Sequence, residues 1–158
     1  MKETYLDIMQ QSLEKKIVVL ERIIELNQEQ RIGLENPELD PDQFDEIVEA
    51  KQEMIDQLEQ LDSGFEKLFE NVKNELADKK EQYADRIKKM QELIKDITDR
   101  SVEIQAQEQR NKDLMTKKFA AIRQKAKSVR TSNKVASQYY KSMAKLNYVD
   151  PQFMDDKH

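Results

Sequence analysis

The sequence predicts an all-α fold: an elongated antiparallel helical hairpin, extended to a three-helix coiled-coil-like bundle with a short C-terminal helix or tail. The chain of 158 residues contains only 2 Gly and 3 Pro, whereas β-rich folds need these residues at their turns. Charged and apolar side chains each make up 37%, which is typical of long amphipathic helices. Apolar residues also recur in steps of three, four and seven.

A first stripe of aliphatic residues predicts a helix that ends at Gly33. The segment that follows contains Pro37 and Pro41, and neither proline can continue a helix. The stripe consists of Leu6, Leu13, Ile17, Leu20, Ile24 and Leu34.

A second helix is expected to begin at Asp40, which is suited to be its N-cap with Pro41 in the first helical position and Gln43 in the third. The short loop before it favours an antiparallel hairpin. We expect Gly64 to mark a kink within a continuous helix. The second stripe consists of Phe44, Ile47, Met54, Leu58, Leu61, Phe65, Leu68, Val72 and Leu76.

The polar run at 77–82 predicts a reversal or kink, because the first helix offers no further partner beyond about residue 76 in such a hairpin. Asp78 and Glu81 also resemble a capping box. The heptad step from Leu76 to Tyr83 leaves an alternative open. One helix from 42 to about 130 would leave its distal half without an intramolecular partner and would require a dimer.

A third stripe, free of glycine and proline, predicts a long bundle helix. We therefore divide the chain into a helical bundle at 1–130 and a C-terminal amphipathic helix and tail at 131–158. The third stripe consists of Tyr83, Ile87, Met90, Ile94, Ile97, Ile104, Met115, Phe119, Ile122 and Val129.

Polar residues interrupt the stripes at Asn27 and Arg31 and again at Glu108 and Asn111. Such residues lower stability but fix the register of helices. We expect Arg31 to face Asp45 across the hairpin and Glu108 to be open to water.

The formal net charge of −5 conceals two opposite poles. The acidic segment, residues 35–62, holds eleven acids and one base, Lys51, for a net charge of −10; the basic segment, residues 112–145, holds ten bases and one acid, for +9. We expect the basic segment to pair with the acidic hairpin or to meet an acidic protein partner. Nucleic acid is not expected, because aromatic platforms are few and the acidic segment would repel phosphate.

No catalytic residue, metal site or cofactor is expected. The chain has no Cys, its one histidine is His158, and Gly33 and Gly64 stand too far apart for a phosphate-binding loop. A cytoplasmic location without a membrane span is expected, because the longest aliphatic run is Ile17 to Leu20 and a span needs about 20 apolar residues. Three carboxylates share one helix face and are assigned to solvated surface: Glu46, Glu49 and Glu53.

The C-terminal region combines an amphipathic pattern with aromatic residues. Val135, Tyr139, Met143 and Leu146 recur in steps of four, four and three, and lysines flank them. Such a tail either packs back on the bundle or serves as a docking element, for which Tyr and Met are well suited.

The layout, the stretch from Leu61 to Glu66 and the tail from Tyr139-Tyr140-Lys141 to Phe153-Met154-Asp155-Asp156-Lys157 resemble the FlgN family of flagellar export chaperones, in the form found in Gram-positive bacteria. The resemblance implies a cytoplasmic helical protein that binds hook-filament junction subunits, keeps them unassembled and delivers them to the type III export apparatus. It places substrate contact in the C-terminal part, at Tyr139, Tyr140, Met143, Leu146, Tyr148 and Phe153. A self-associating coiled-coil scaffold or adaptor, such as a homodimer, is the alternative.

Overall fold

A computed structural model describes residues 2–122 and Ser137 of the protein, and residues 2–122 form three long helices. They are α1 (Lys2–Glu35), α2 (Pro41–Asp78) and α3 (Ala84–Ile122). The described part of the chain has no β-strand, so the predicted all-α bundle is confirmed. The predicted boundary at residue 130 and the C-terminal helix and tail lie outside the described residues.

Helix α2 begins as predicted, after the short connection from α1. Asp40 Oδ1 accepts hydrogen bonds from the backbone N–H groups of Asp42 and Gln43, at 3.0 and 3.4 Å, and this satisfies two donors that a helix start leaves unpaired. The prediction that Gly33 ends α1 is wrong, because α1 continues to Glu35. The helix ends before Pro37, since a proline disfavours helical geometry in the residue that precedes it.

Residues 79–83 form a turn that reverses the chain. The Lys79 N–H donates to the Glu75 carbonyl at 2.9 Å and closes α2. The alternative of one helix from 42 to about 130 is therefore wrong, and α2 is continuous through Gly64. The proposed capping box does not start α3, because Asp78 is the last residue of α2 and α3 begins at Ala84.

Helix α1 lies between the other two and packs against both. It is antiparallel to α2 and parallel to α3. At one end of the bundle Arg86 of α3 pairs with Asp7 of α1, and at the other end Lys118 donates to the Asn36 carbonyl. We call the second end, where the α1–α2 connection meets the end of α3, the loop end.

The core runs the length of the bundle and is wider than the predicted stripes. Met9, Ile23, Ile55 and Phe69 are buried beside the predicted residues, because a helix packed against a neighbour buries more than one residue per turn. Burial is confirmed for most of each stripe among the described residues, and Val129 lies outside them. Eight stripe members are half-buried: Ile17, Ile24, Met54, Leu61, Phe65, Leu68, Ile87 and Ile122.

Among the described residues, no helix combines the length and the apolarity that a membrane crossing needs.

Candidate functional site

An ion pair is buried in the loop-end half of the core. Lys51 of α2 is 0% exposed, and its Nζ lies 2.7 Å from Oε1 of Glu108 on α3. The same Nζ donates to Oε1 of Gln30 on α1 at 2.9 Å. The expectation that Glu108 is open to water is wrong, because the single base of the acidic segment reaches it inside the core. One ammonium group therefore joins all three helices.

Amide side chains extend this polar layer between α1 and α3. Asn27 Nδ2 donates to Gln107 Oε1 at 3.0 Å. Asn111 Nδ2 donates to the Asn27 carbonyl at 2.9 Å and to Gln30 Oε1 at 3.2 Å. Both asparagines are 0% exposed, which confirms that they occupy inner positions. Because each bond joins fixed positions on two helices, the layer fixes their register.

Arg31 does not belong to this layer. It is exposed on α1 and its Nε lies 3.2 Å from Oε1 of Glu35, one turn further along the same helix. The predicted contact with Asp45 is wrong, because the neighbouring positions Gln30 and Leu34 face the core instead.

Burial lowers the pKa of Lys51 to about 8 from its usual 10.5, because removal from water disfavours the ammonium form. The charge and the hydrogen bond of Glu108 act in the opposite direction and partly offset this effect. Because the unfolded state keeps the higher pKa, burial of the charged lysine lowers the free energy of unfolding at neutral pH.

A shallow cleft opens at the loop end between α1 and α2. Gln30 and Gly33 line it from α1, and Phe44 and Ile47 line it from α2. A Cβ added to Gly33 would meet nothing within 4 Å, so this wall of the cleft has room. Gln30 is 1% exposed and its Nε2 has no hydrogen-bond partner among the described residues. The lining of the cleft thus combines apolar residues with the polar Gln30, Asp40 and Gln43.

A line of apolar residues continues from the cleft along α2. Ile47, Met54, Leu61 and Leu68 recur every seven residues, and the last three are half-buried. The Ser12 hydroxyl of α1 donates to the Leu61 carbonyl at 3.4 Å, so the line follows the side of α2 near α1. We call it the α2 apolar line.

Exposed acids cover the outer side of the same half of α2. We call them the acidic surface; it consists of Glu46, Glu49, Glu53, Asp56 and Glu59. The first three form no ion pair within residues 2–122. The part of the chain that the structure describes also has no group of three or more His, Cys, Asp or Glu side chains placed to hold a metal ion.

The residues predicted to contact a partner lie outside the described residues, and their positions stay predictions: Tyr139, Tyr140, Met143, Leu146, Tyr148 and Phe153. The sequence interpretation missed Lys51 as a core residue. A signal for it exists, because Lys51 lies seven residues after Phe44 and seven before Leu58 and so occupies a position of the second stripe.

The described residues thus form an elongated bundle of three α-helices with a shallow cleft at its loop end. A family model described as FlgN protein matches residues 1–147, and the chain therefore belongs to the FlgN family. The family is one of flagellar export chaperones that bind flagellar proteins. No curated protein and no solved structure gave a significant match.

Proposed function

We propose that this chain is a cytoplasmic chaperone that binds hook-filament junction subunits, keeps them unassembled and delivers them to the type III export apparatus. The match to the FlgN family over residues 1–147 is the observation that carries the proposal. The long α-helical bundle supports it, because a bundle of this kind can receive an amphipathic helix from a subunit terminus against an apolar surface.

The proposed contact residues are Tyr139, Tyr140, Met143, Leu146, Tyr148 and Phe153. The first four lie within the range of the family match. Aromatic and methionine side chains provide large, adaptable apolar contacts with a partner helix. They follow α3 in sequence, and the last described turn of α3 lies at the loop end of the bundle, where Phe119 contacts Phe44.

Affinity capture from the lysate of a flagellated bacterium tests this function. With the full chain as bait, we expect mass spectrometry to identify junction subunits. The variant Y139A/Y148A/F153A should lose them, and the matched variant Q138A/N147A/Q152A, which alters polar residues of the same segment, should retain them. Capture of no flagellar subunit by the unmodified chain would contradict the proposal.

The oligomeric state distinguishes the alternative function, a self-associating scaffold, from the chaperone. Within the described residues α3 buries its stripe against α1 of the same chain, so no helix there requires a second copy for its core. We therefore expect sedimentation to give a monomer at low and high salt. A stable oligomer that dissociates in salt would favour the scaffold, since salt screens the attraction between opposite charge poles.

A further inference from the structure

The last described turn of α3 lies beside the cleft. The Phe119 ring packs edge-on against Phe44, with ring centroids 5.2 Å apart, and Phe44 itself lines the cleft. The described part of α3 extends three residues further, to Ile122. The eleven residues from 123 to 133 span at most about 40 Å, an upper limit that is long enough for the segment after them to reach the loop-end half of α2.

The segment 134–146 has an apolar stripe of its own and is long enough to cover the first three residues of the α2 apolar line. Its apolar residues recur in steps of four, four and three, beginning at Val135 and ending at Leu146. Thirteen residues of helix span about 20 Å, which is about the distance along α2 from Ile47 to Leu61. A fourth helix in that position would cover the half-buried Met54 and Leu61.

Charge favours the same partner. Residues 123–145 contain seven bases and no acid, whereas Glu46, Glu49 and Glu53 of the acidic surface are exposed on the same half of α2 and form no ion pair among the described residues.

We propose that segment 134–146 of the same chain docks along the α2 apolar line, with its lysines beside the acidic surface and its first turn near the cleft. Docking covers Tyr139, Met143 and Leu146, so a client that needs these residues must displace the segment. The docking itself is a property of the chain alone. Only its regulatory consequence rests on the proposed chaperone function.

Electron–electron double resonance on the full chain tests the docking. Because the chain has no Cys, nitroxide labels can be placed at Q57C on α2 and at S142C. We expect one narrow, short-distance peak at 0.1 M salt, where the screening length is about 10 Å, and its loss at 1 M salt, where it is about 3 Å. The pair N74C and S142C, which probes the far end of α2, should show no short-distance peak.

Charge reversal on the two halves of the bundle provides the matched comparison. E46K/E49K/E53K should abolish the short-distance peak, whereas E66K/E70K/E81K, with the same change in net charge, should leave it in place. Circular dichroism establishes that both variants stay folded. A broad distance distribution in the parent chain at low salt, or equal effects of the two variants, would overturn the proposal.

Mixtures of singly labelled chains separate docking within one chain from docking between two. A short distance between a Q57C chain and an S142C chain would show that a second copy is the occupant, which would overturn the intramolecular proposal. None of these measurements includes a client, so their failure would leave the chaperone function standing. Failure of the capture experiment would equally leave the docking intact.

Discussion

Removing one member of the Lys51–Glu108 pair should destabilise the protein more than removing both. The Lys51 side chain is 0% exposed and the Glu108 side chain 8% exposed, with their charged atoms 2.7 Å apart. In K51M the Glu108 carboxylate keeps its burial and loses its cation. Breaking a buried pair in this way typically costs about 3–5 kcal/mol, a large part of the roughly 5–15 kcal/mol that stabilises a typical domain.

Replacing both members with apolar residues removes the desolvation cost along with the attraction. K51M/E108L should therefore recover most of the stability lost in K51M, since such replacements are neutral or stabilising by about 1–4 kcal/mol. The exposed pair Arg31–Glu35 is the matched control. R31M should cost less than about 1 kcal/mol, because solvent screens a surface pair.

Urea unfolding followed by far-UV circular dichroism measures these free energies. A loss below about 1 kcal/mol in K51M would refute the reasoning, because it lies well under the cost of an unpaired buried charge. A double variant less stable than K51M would also refute it, since the ion pair would then contribute more than its burial costs.

Three further predictions concern single positions. Burial lowers the pKa of Lys51 to about 8, so the folded state releases this proton between pH 8 and 10.5 while the unfolded state retains it. The free energy of unfolding, measured relative to K51M, should therefore rise with pH across that window and stay level below it. A difference between the two proteins that does not change with pH would contradict this. G33A should raise the free energy of unfolding by about 0.5–1 kcal/mol, and the melting temperature with it, because Gly33 is helical and an added Cβ meets nothing within 4 Å. A loss of stability in G33A would contradict this and would show that a side chain is not tolerated at this wall of the cleft. D40A should lower the free energy of unfolding by about 1 kcal/mol through loss of the α2 N-cap, whereas D40N should retain most of the stability that the cap provides. Equal losses in the two variants would contradict the role of Asp40 as the N-cap.

The elements that could be predicted from the sequence are those set by local chemistry. Asp40 and Pro41 start α2 because capping depends on neighbouring residues alone. The end of α1 was misplaced because glycine can adopt helical geometry as well as end a helix. The reversal at 79–83 could not be decided, since the step from Leu76 to Tyr83 suits both a turn and a continuous helix.

The partners within the polar layer could not be predicted from local sequence. The pairing of Glu108 with Lys51 depends on the register between α2 and α3, which lie 57 residues apart in sequence at this point. Heptad spacing places both residues in the core but leaves their partners open. The sequence could therefore identify polar core positions, whereas only the packed helices show that one lysine bonds to both Glu108 and Gln30.

Titration of purified hook-filament junction subunits into the full chain, followed by calorimetry, tests the central claim most directly. We expect saturable binding at a fixed stoichiometry, loss of binding in Y139A/Y148A/F153A, and unchanged binding in the matched variant Q138A/N147A/Q152A. Absence of binding to every junction subunit, with the chain folded, would contradict the account.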